Sequence, residues 1–118
     1  MMTRWCEKGI DGFRMDVISL ISKPEGLPST EIPKGAVYGD GAVCAKGPRV
    51  HEFLQEMNQK VLSKYDLMTV GETAGVTLEE AKKYANEAQT ELNMVFQFEH
   101  VSMDENPKYG FKWNTGRM

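Results

Sequence analysis

Three short apolar, β-branched or aromatic segments in this chain each run into a carboxylate. The first is Ile10 to Ile18, with Asp16 near its C-terminal edge. The second is Leu67-Met68-Thr69-Val70-Gly71-Glu72, broken by Gly75. The third is Met94-Val95-Phe96-Gln97-Phe98, ending on Glu99-His100. Such runs read as strands, and the segments between them read as helices. Val50, Phe53, Leu54, Met57 and Val61 recur on one helical face, with Gly47-Pro48 at its mouth. Thr77 and Glu80 form the Thr-x-x-Glu spacing of a capping box, opening a helix through Ala81, Tyr84, Ala85 and Ala88. The opening Met1 to Lys8 reads as the tail of an amphipathic helix that Gly9 stops. Between Ser22 and Pro48 lie four of the five prolines and a cluster of glycines, so that stretch is loop. The tail from Ser102 to Met118 is polar and unpatterned, and no internal repeat is present. The alternation predicts an α/β fold with parallel neighbouring strands and right-handed crossovers. In such folds chemistry collects beyond the C-terminal ends of the strands, where all three carboxylates would lie.

Composition narrows the partners. The net charge is −3, with 17 acidic and 14 basic residues spread along 118 positions. Nucleic acid and anionic membranes need a basic patch that this distribution does not supply. No apolar run approaches the roughly 20 residues that span a bilayer. The first residues lack an apolar signal-peptide core, so a cytoplasmic setting is expected. Cys6 and Cys44 fit no metal-ligand spacing and are expected to be reduced thiols.

Two carboxylates on adjacent parallel strands suit a retaining glycosidase, with one as nucleophile and the other as acid and then base. Strands about 4.8 Å apart bring such side chains to roughly the 5 to 5.5 Å separation that retention requires. Arg14, two residues before Asp16, shares its face of the strand and can hold it ionised while hydrogen-bonding a sugar hydroxyl. Glu72 needs a less solvated setting near another carboxylate, so that it keeps a proton for the leaving oxygen. Spacing alone leaves open a plainer reading, in which the acids cap the following segments and Arg14 and Asp16 form an ion pair without chemistry. Glu99 and His100, with Asp104 nearby, face opposite sides of a strand, so neither a metal site nor a cofactor is expected. His51 reads as a surface or cap residue. Gly39-Asp40-Gly41 is better explained by loop flexibility than as a phosphate cradle. The methionines read mostly as core filler.

The blocks Gly9-Ile10-Asp11-Gly12-Phe13-Arg14-Met15-Asp16-Val17-Ile18, Met68-Thr69-Val70-Gly71-Glu72-Thr73 and Asn93-Met94-Val95-Phe96-Gln97-Phe98-Glu99-His100 together resemble the oligo-1,6-glucosidase branch of the α-amylase family, glycoside hydrolase family 13. The resemblance implies a (β/α)8 barrel, of which residues 1–118 are a central piece of the catalytic domain carrying about strands four to six. It implies Asp16 as nucleophile, Glu72 as acid/base and Arg14 as the arginine supporting the nucleophile. Phe98 stands where related glucosidases place an aromatic wall of the sugar pocket. Val17 is similar to the valine of enzymes preferring α-1,6 bonds, which implies isomaltose-type oligosaccharide substrates. Dextran glucosidases, sucrose isomerases and transglycosylases share much of the pattern. Non-catalytic relatives have lost the acids that are present here. The family's third-strand histidine region, its Asn-His-Asp region with the third acid, the inserted domain and the C-terminal β-domain have no counterpart in the sequence. A full barrel takes about 250 residues, so exposed strand edges and no useful activity are expected of the isolated chain.

Overall fold

A computed structural model describes residues 1–26, 28–32, 34 and 47–98, and the backbone of 105–106 and 110–111. Cys44, Gly39 to Gly41, Glu99, His100 and Asp104 lie outside the described residues. The chain opens with a helix, α1, at Met2–Cys6. Its last carbonyls are closed by amides from Glu7, Lys8 and Gly9, at 2.9, 3.0 and 2.9 Å. Gly9 turns the chain away at φ +83°, a conformation glycine adopts without penalty.

Strand β1 (Gly12–Met15) follows, then β2 (Met68–Glu72) and β3 (Met94–Phe96), in a sheet of spatial order β1-β2-β3 with both pairings parallel. The register matches Arg14 with Val70 and Val70 with Met94. One step on, Met15 is level with Gly71, and two steps on, Glu72 is level with Phe96. Helix α2 (Val50–Lys60) lies between β1 and β2 in sequence, and α3 (Leu78–Tyr84) between β2 and β3.

The core forms where α2, α3 and the connecting segments bury their apolar groups. Val50 and Leu54 of α2, Ala81 and Tyr84 of α3, and Met15, Ile18, Leu62, Val76 and Leu92 make up the cluster. Full burial of Leu54 contributes about 2 kcal/mol. Gly71 leaves the room this packing uses: a Cβ there would meet Leu92 Cδ1 at 2.6 Å and Ile18 Cγ2 at 2.9 Å. The capping box holds as expected, with Thr77 N–H donating to Glu80 Oε2 at 2.9 Å and Glu80 N–H to Thr77 Oγ1 at 3.3 Å.

Several boundaries differ from expectation. Val17 and Ile18 are not strand. Val17 is left-handed (φ 40°, ψ 44°), and Ile18–Leu20 form a 3-10 turn that carries Ile18 into the core. Helix α2 stops at Lys60, with Val61 as its cap and Leu62 starting another 3-10 turn. Helix α3 ends at Tyr84, leaving Ala88 exposed in a turn. Strand β3 stops at Phe96, two residues short. In the tail read as unpatterned, Glu105–Asn106 (β4) and Gly110–Phe111 (β5) pair antiparallel. His51 is no surface or cap residue: it is half-buried, with Nδ1 2.9 Å from Glu91 Oε2.

The segment after β1 is pinned where it leaves and returns. Gly47 N–H donates to the Ser22 carbonyl and Arg49 N–H to Ser22 Oγ, each at 3.1 Å. Among the described residues no helix is long and apolar enough to cross a membrane.

Candidate active site

The C-terminal ends of the three strands meet at one arginine. Arg14 projects from β1, and its guanidinium donates through Nη1 to Asp16 Oδ1 and through Nη2 to Glu72 Oε2. Asp16 immediately follows β1 and Glu72 is the last residue of β2. Because side chains alternate along a strand, Arg14 and Asp16 share a face, and the parallel register, Arg14 with Val70 and Met15 with Gly71, puts Glu72 one step further on, beside Asp16. A guanidinium is a planar fork, so two acceptors on adjacent nitrogens lie side by side.

The two carboxyls sit in different surroundings. Glu72 is buried, with 10% of its side chain exposed, whereas 77% of the Asp16 side chain faces solvent. The Arg14 hydrogen bond, then its charge, and then a hydrogen bond with Glu72 hold the Asp16 carboxyl below the usual aspartate range. The hydrogen bond that Arg14 donates to Asp16, together with the charges of both acids, raises Arg14 above its ordinary value.

The third strand contributes a residue that sequence reasoning missed. The Phe96 ring lies 5.5 Å from the Arg14 guanidinium carbon. Its carbonyl accepts from both Thr73 N–H at 3.0 Å and Thr73 Oγ1 at 3.1 Å, tying the residue after Glu72 to β3. Phe98 stands beyond the strand and packs edge-on against Phe96, with ring centroids 5.7 Å apart and an interplanar angle of 86°. Arg14, Asp16 and Glu72 are therefore in mutual contact, and Phe98 joins them through Phe96. Val17 is next to Asp16 in the chain and partly exposed, at 37%. The signal for Phe96 was in the alternation, since it shares the Met94 and Phe98 face. Among the described residues no group of three His, Cys, Asp or Glu side chains is placed to hold a metal ion.

The family model described as the α-amylase catalytic domain matches residues 1–118. The chain belongs to the α-amylase catalytic-domain family. Among curated members, it is 57% identical over 115 residues to an oligo-1,6-glucosidase of Parageobacillus thermoglucosidasius, covering 97% of this chain and 20% of the relative. It is 58% identical over 116 residues to an α-glucosidase of Pediococcus pentosaceus, covering 98% and 20%. The chain thus spans about one fifth of the length of these relatives. Its fold superposes on the crystal structure of Bacillus licheniformis trehalose-6-phosphate hydrolase with a TM-score of 0.76 at 45% identity, covering 92% of this chain and 19% of that one. Isomaltulose synthase from Klebsiella sp. LX3 gives 0.76 at 34% identity, covering 89% and 18%. Within this α-amylase-family chain, the parallel sheet with its helices is a portion of the (β/α)8 barrel.

Proposed function

We propose that this chain is the central barrel segment, strands four to six, of a retaining α-glucosidase that releases terminal glucose from α-1,6-linked, isomaltose-type oligosaccharides. In this reading the Asp16 carboxylate attacks the anomeric carbon while Glu72 gives its proton to the departing glycosidic oxygen. The ionised Glu72 then takes a proton from water, and that water attacks the anomeric carbon and frees Asp16. Arg14 keeps the nucleophile ionised, Phe98 offers an apolar face to the pyranose ring, and Val17 bears on the linkage accepted. The observation that carries the reading is the single guanidinium reaching both carboxyls, one solvated and one buried. The names of the oligo-1,6-glucosidase relatives support the α-1,6 preference. A buried free thiol at Cys6 fits a reducing compartment, the cytoplasm. With Asp16 this open to solvent, the 118 residues alone are expected to hydrolyse nothing measurable.

Likeness to isomaltulose synthase favours a second reading, glucosyl transfer to a sugar hydroxyl in place of water. Both are tested by grafting residues 1–118 into the matching stretch of the Parageobacillus enzyme. The graft should cleave isomaltose faster than maltose and release α-glucose first. Asp16→Asn should lower kcat on the order of 10⁴-fold or more. Faster maltose cleavage sinks the α-1,6 preference, initial β-glucose sinks retention, and an isomerised disaccharide as main product favours transfer.

A further inference from the structure

From the Arg14–Phe96 contact we infer that Phe96 is a positioning residue for the catalytic pair: its ring is the seat that holds the Arg14 guanidinium between Asp16 and Glu72. The inference rests on the reading of those two acids as the working pair, and it adds a residue with no role so far.

Arg14 leaves β1 and Phe96 belongs to β3, with β2 between them. The guanidinium therefore lies across the middle strand, and a long flexible side chain laid that far needs something beneath it. Its two hydrogen bonds run to carboxyls on β1 and β2. Those bonds fix its edge, whereas the Phe96 ring 5.5 Å from its central carbon is the contact from the third strand. An aromatic face attracts a cation through its quadrupole, and arginine is the usual partner.

The seat is itself braced. Phe98 meets Phe96 in an edge-to-face contact, a favoured aromatic geometry. The Phe96 carbonyl takes both the amide and the hydroxyl of Thr73, the residue after Glu72. One residue thus restrains the arginine through its ring and the acid's main chain through its carbonyl. Phe96→Leu keeps the carbonyl and much of the apolar volume while removing the π face, so it isolates the ring. Phe96→Tyr keeps the face.

The test uses the 118-residue chain and needs no turnover. In the unaltered chain, ring currents should move the Arg14 side-chain protons upfield, and Phe96→Leu should abolish that shift. The Asp16 carboxyl, followed by carbon NMR against pH, should titrate about half a pH unit higher in Phe96→Leu and unchanged in Phe96→Tyr. Unshifted Arg14 protons in the unaltered chain, or an Asp16 midpoint that Phe96→Leu leaves in place, overturns the inference. Should Phe96→Leu fail to fold, the Arg14 proton shifts decide. In the graft, Phe96→Leu should lower kcat about tenfold while KM stays within about twofold. An inactive graft counts against the proposed function alone, because the titration of Asp16 still tests the ring.

Discussion

His51 and Glu91 join helix α2 to the segment leading into β3: His51 Nδ1 lies 2.9 Å from Glu91 Oε2, and only 2% of the Glu91 side chain is exposed. Gln55 Nε2 donates to the other carboxyl oxygen at 3.1 Å. A buried carboxyl is tolerated when its lone pairs are taken, and each partner stranded by its loss costs about 1–3 kcal/mol. Glu91→Ala should therefore lower the unfolding free energy by about 3 kcal/mol, with Glu91→Gln in between, as read by urea denaturation. An unchanged urea midpoint in Glu91→Ala would show that the cluster does not hold the layers together.

Tyr84 packs its ring against His51, with centroids 4.7 Å apart, and among the described residues its buried hydroxyl has no hydrogen-bond partner. Tyr84→Phe should leave stability unchanged or raise it by about 1 kcal/mol, because no bond is lost. Burial, with the charges of Glu80 and Glu91 adding to it, pushes this phenol up to about 12. The folded-state value lies above the ordinary one, so the contribution is intact below about pH 10 and lost as pH rises toward 12. Absorbance at alkaline pH should show one tyrosine ionising late, and Tyr84→Phe should remove that step.

Asp16 behaves in the opposite sense. Its folded-state value is depressed by Arg14, so its contribution is present above the ordinary aspartate value of about 3.9 and is lost as pH falls through its own lower value. Asp16→Asn should flatten the acid limb of the stability profile at those pH values and leave the neutral plateau nearly unchanged, since the side chain is mostly solvated. Thermal unfolding between pH 2 and 6 measures this, and an acid limb that persists in Asp16→Asn would assign it to other carboxyls.

Gly71 sets the spacing between the sheet and the residues around Leu92 and Ile18. Gly71→Ala should destabilise by about 1–3 kcal/mol through overpacking. With Leu92→Ala already in place, Gly71→Ala should cost less than it does alone, and a double-mutant cycle showing simple additivity would place the strain elsewhere.

The strand order and the face shared by Arg14 and Asp16 were legible because their signals are local. Alternation put Arg14 and Asp16 on one face, β-branched residues marked β2, and the Thr77–Glu80 spacing marked the start of α3. The ends of elements were less legible, because distant packing decides them. Val17 is β-branched and reads as strand, but the chain turns there to bury Ile18 against Gly71. Alanine at 85 and 88 favours helix. Asn86 instead donates to the Lys83 carbonyl and accepts from the Thr90 amide, closing a turn that continues to Gln89 at φ 50°. His51 with Glu91, and Arg14 with Phe96, are long-range pairs, and neither partner carries a local mark of the other.

Val17 is a β-branched residue in a left-handed conformation that such side chains rarely adopt. The cost is about 1–2 kcal/mol, stored one peptide bond from Asp16. Under the proposed function a substitution there bears on the linkage accepted, and it also releases or deepens that backbone tension. Glycine or asparagine would relax the turn, whereas isoleucine or threonine would keep it. A library at position 17 screened for a new linkage would therefore sort its members by thermal tolerance as well, and the two effects separate only when melting temperature is recorded beside substrate preference.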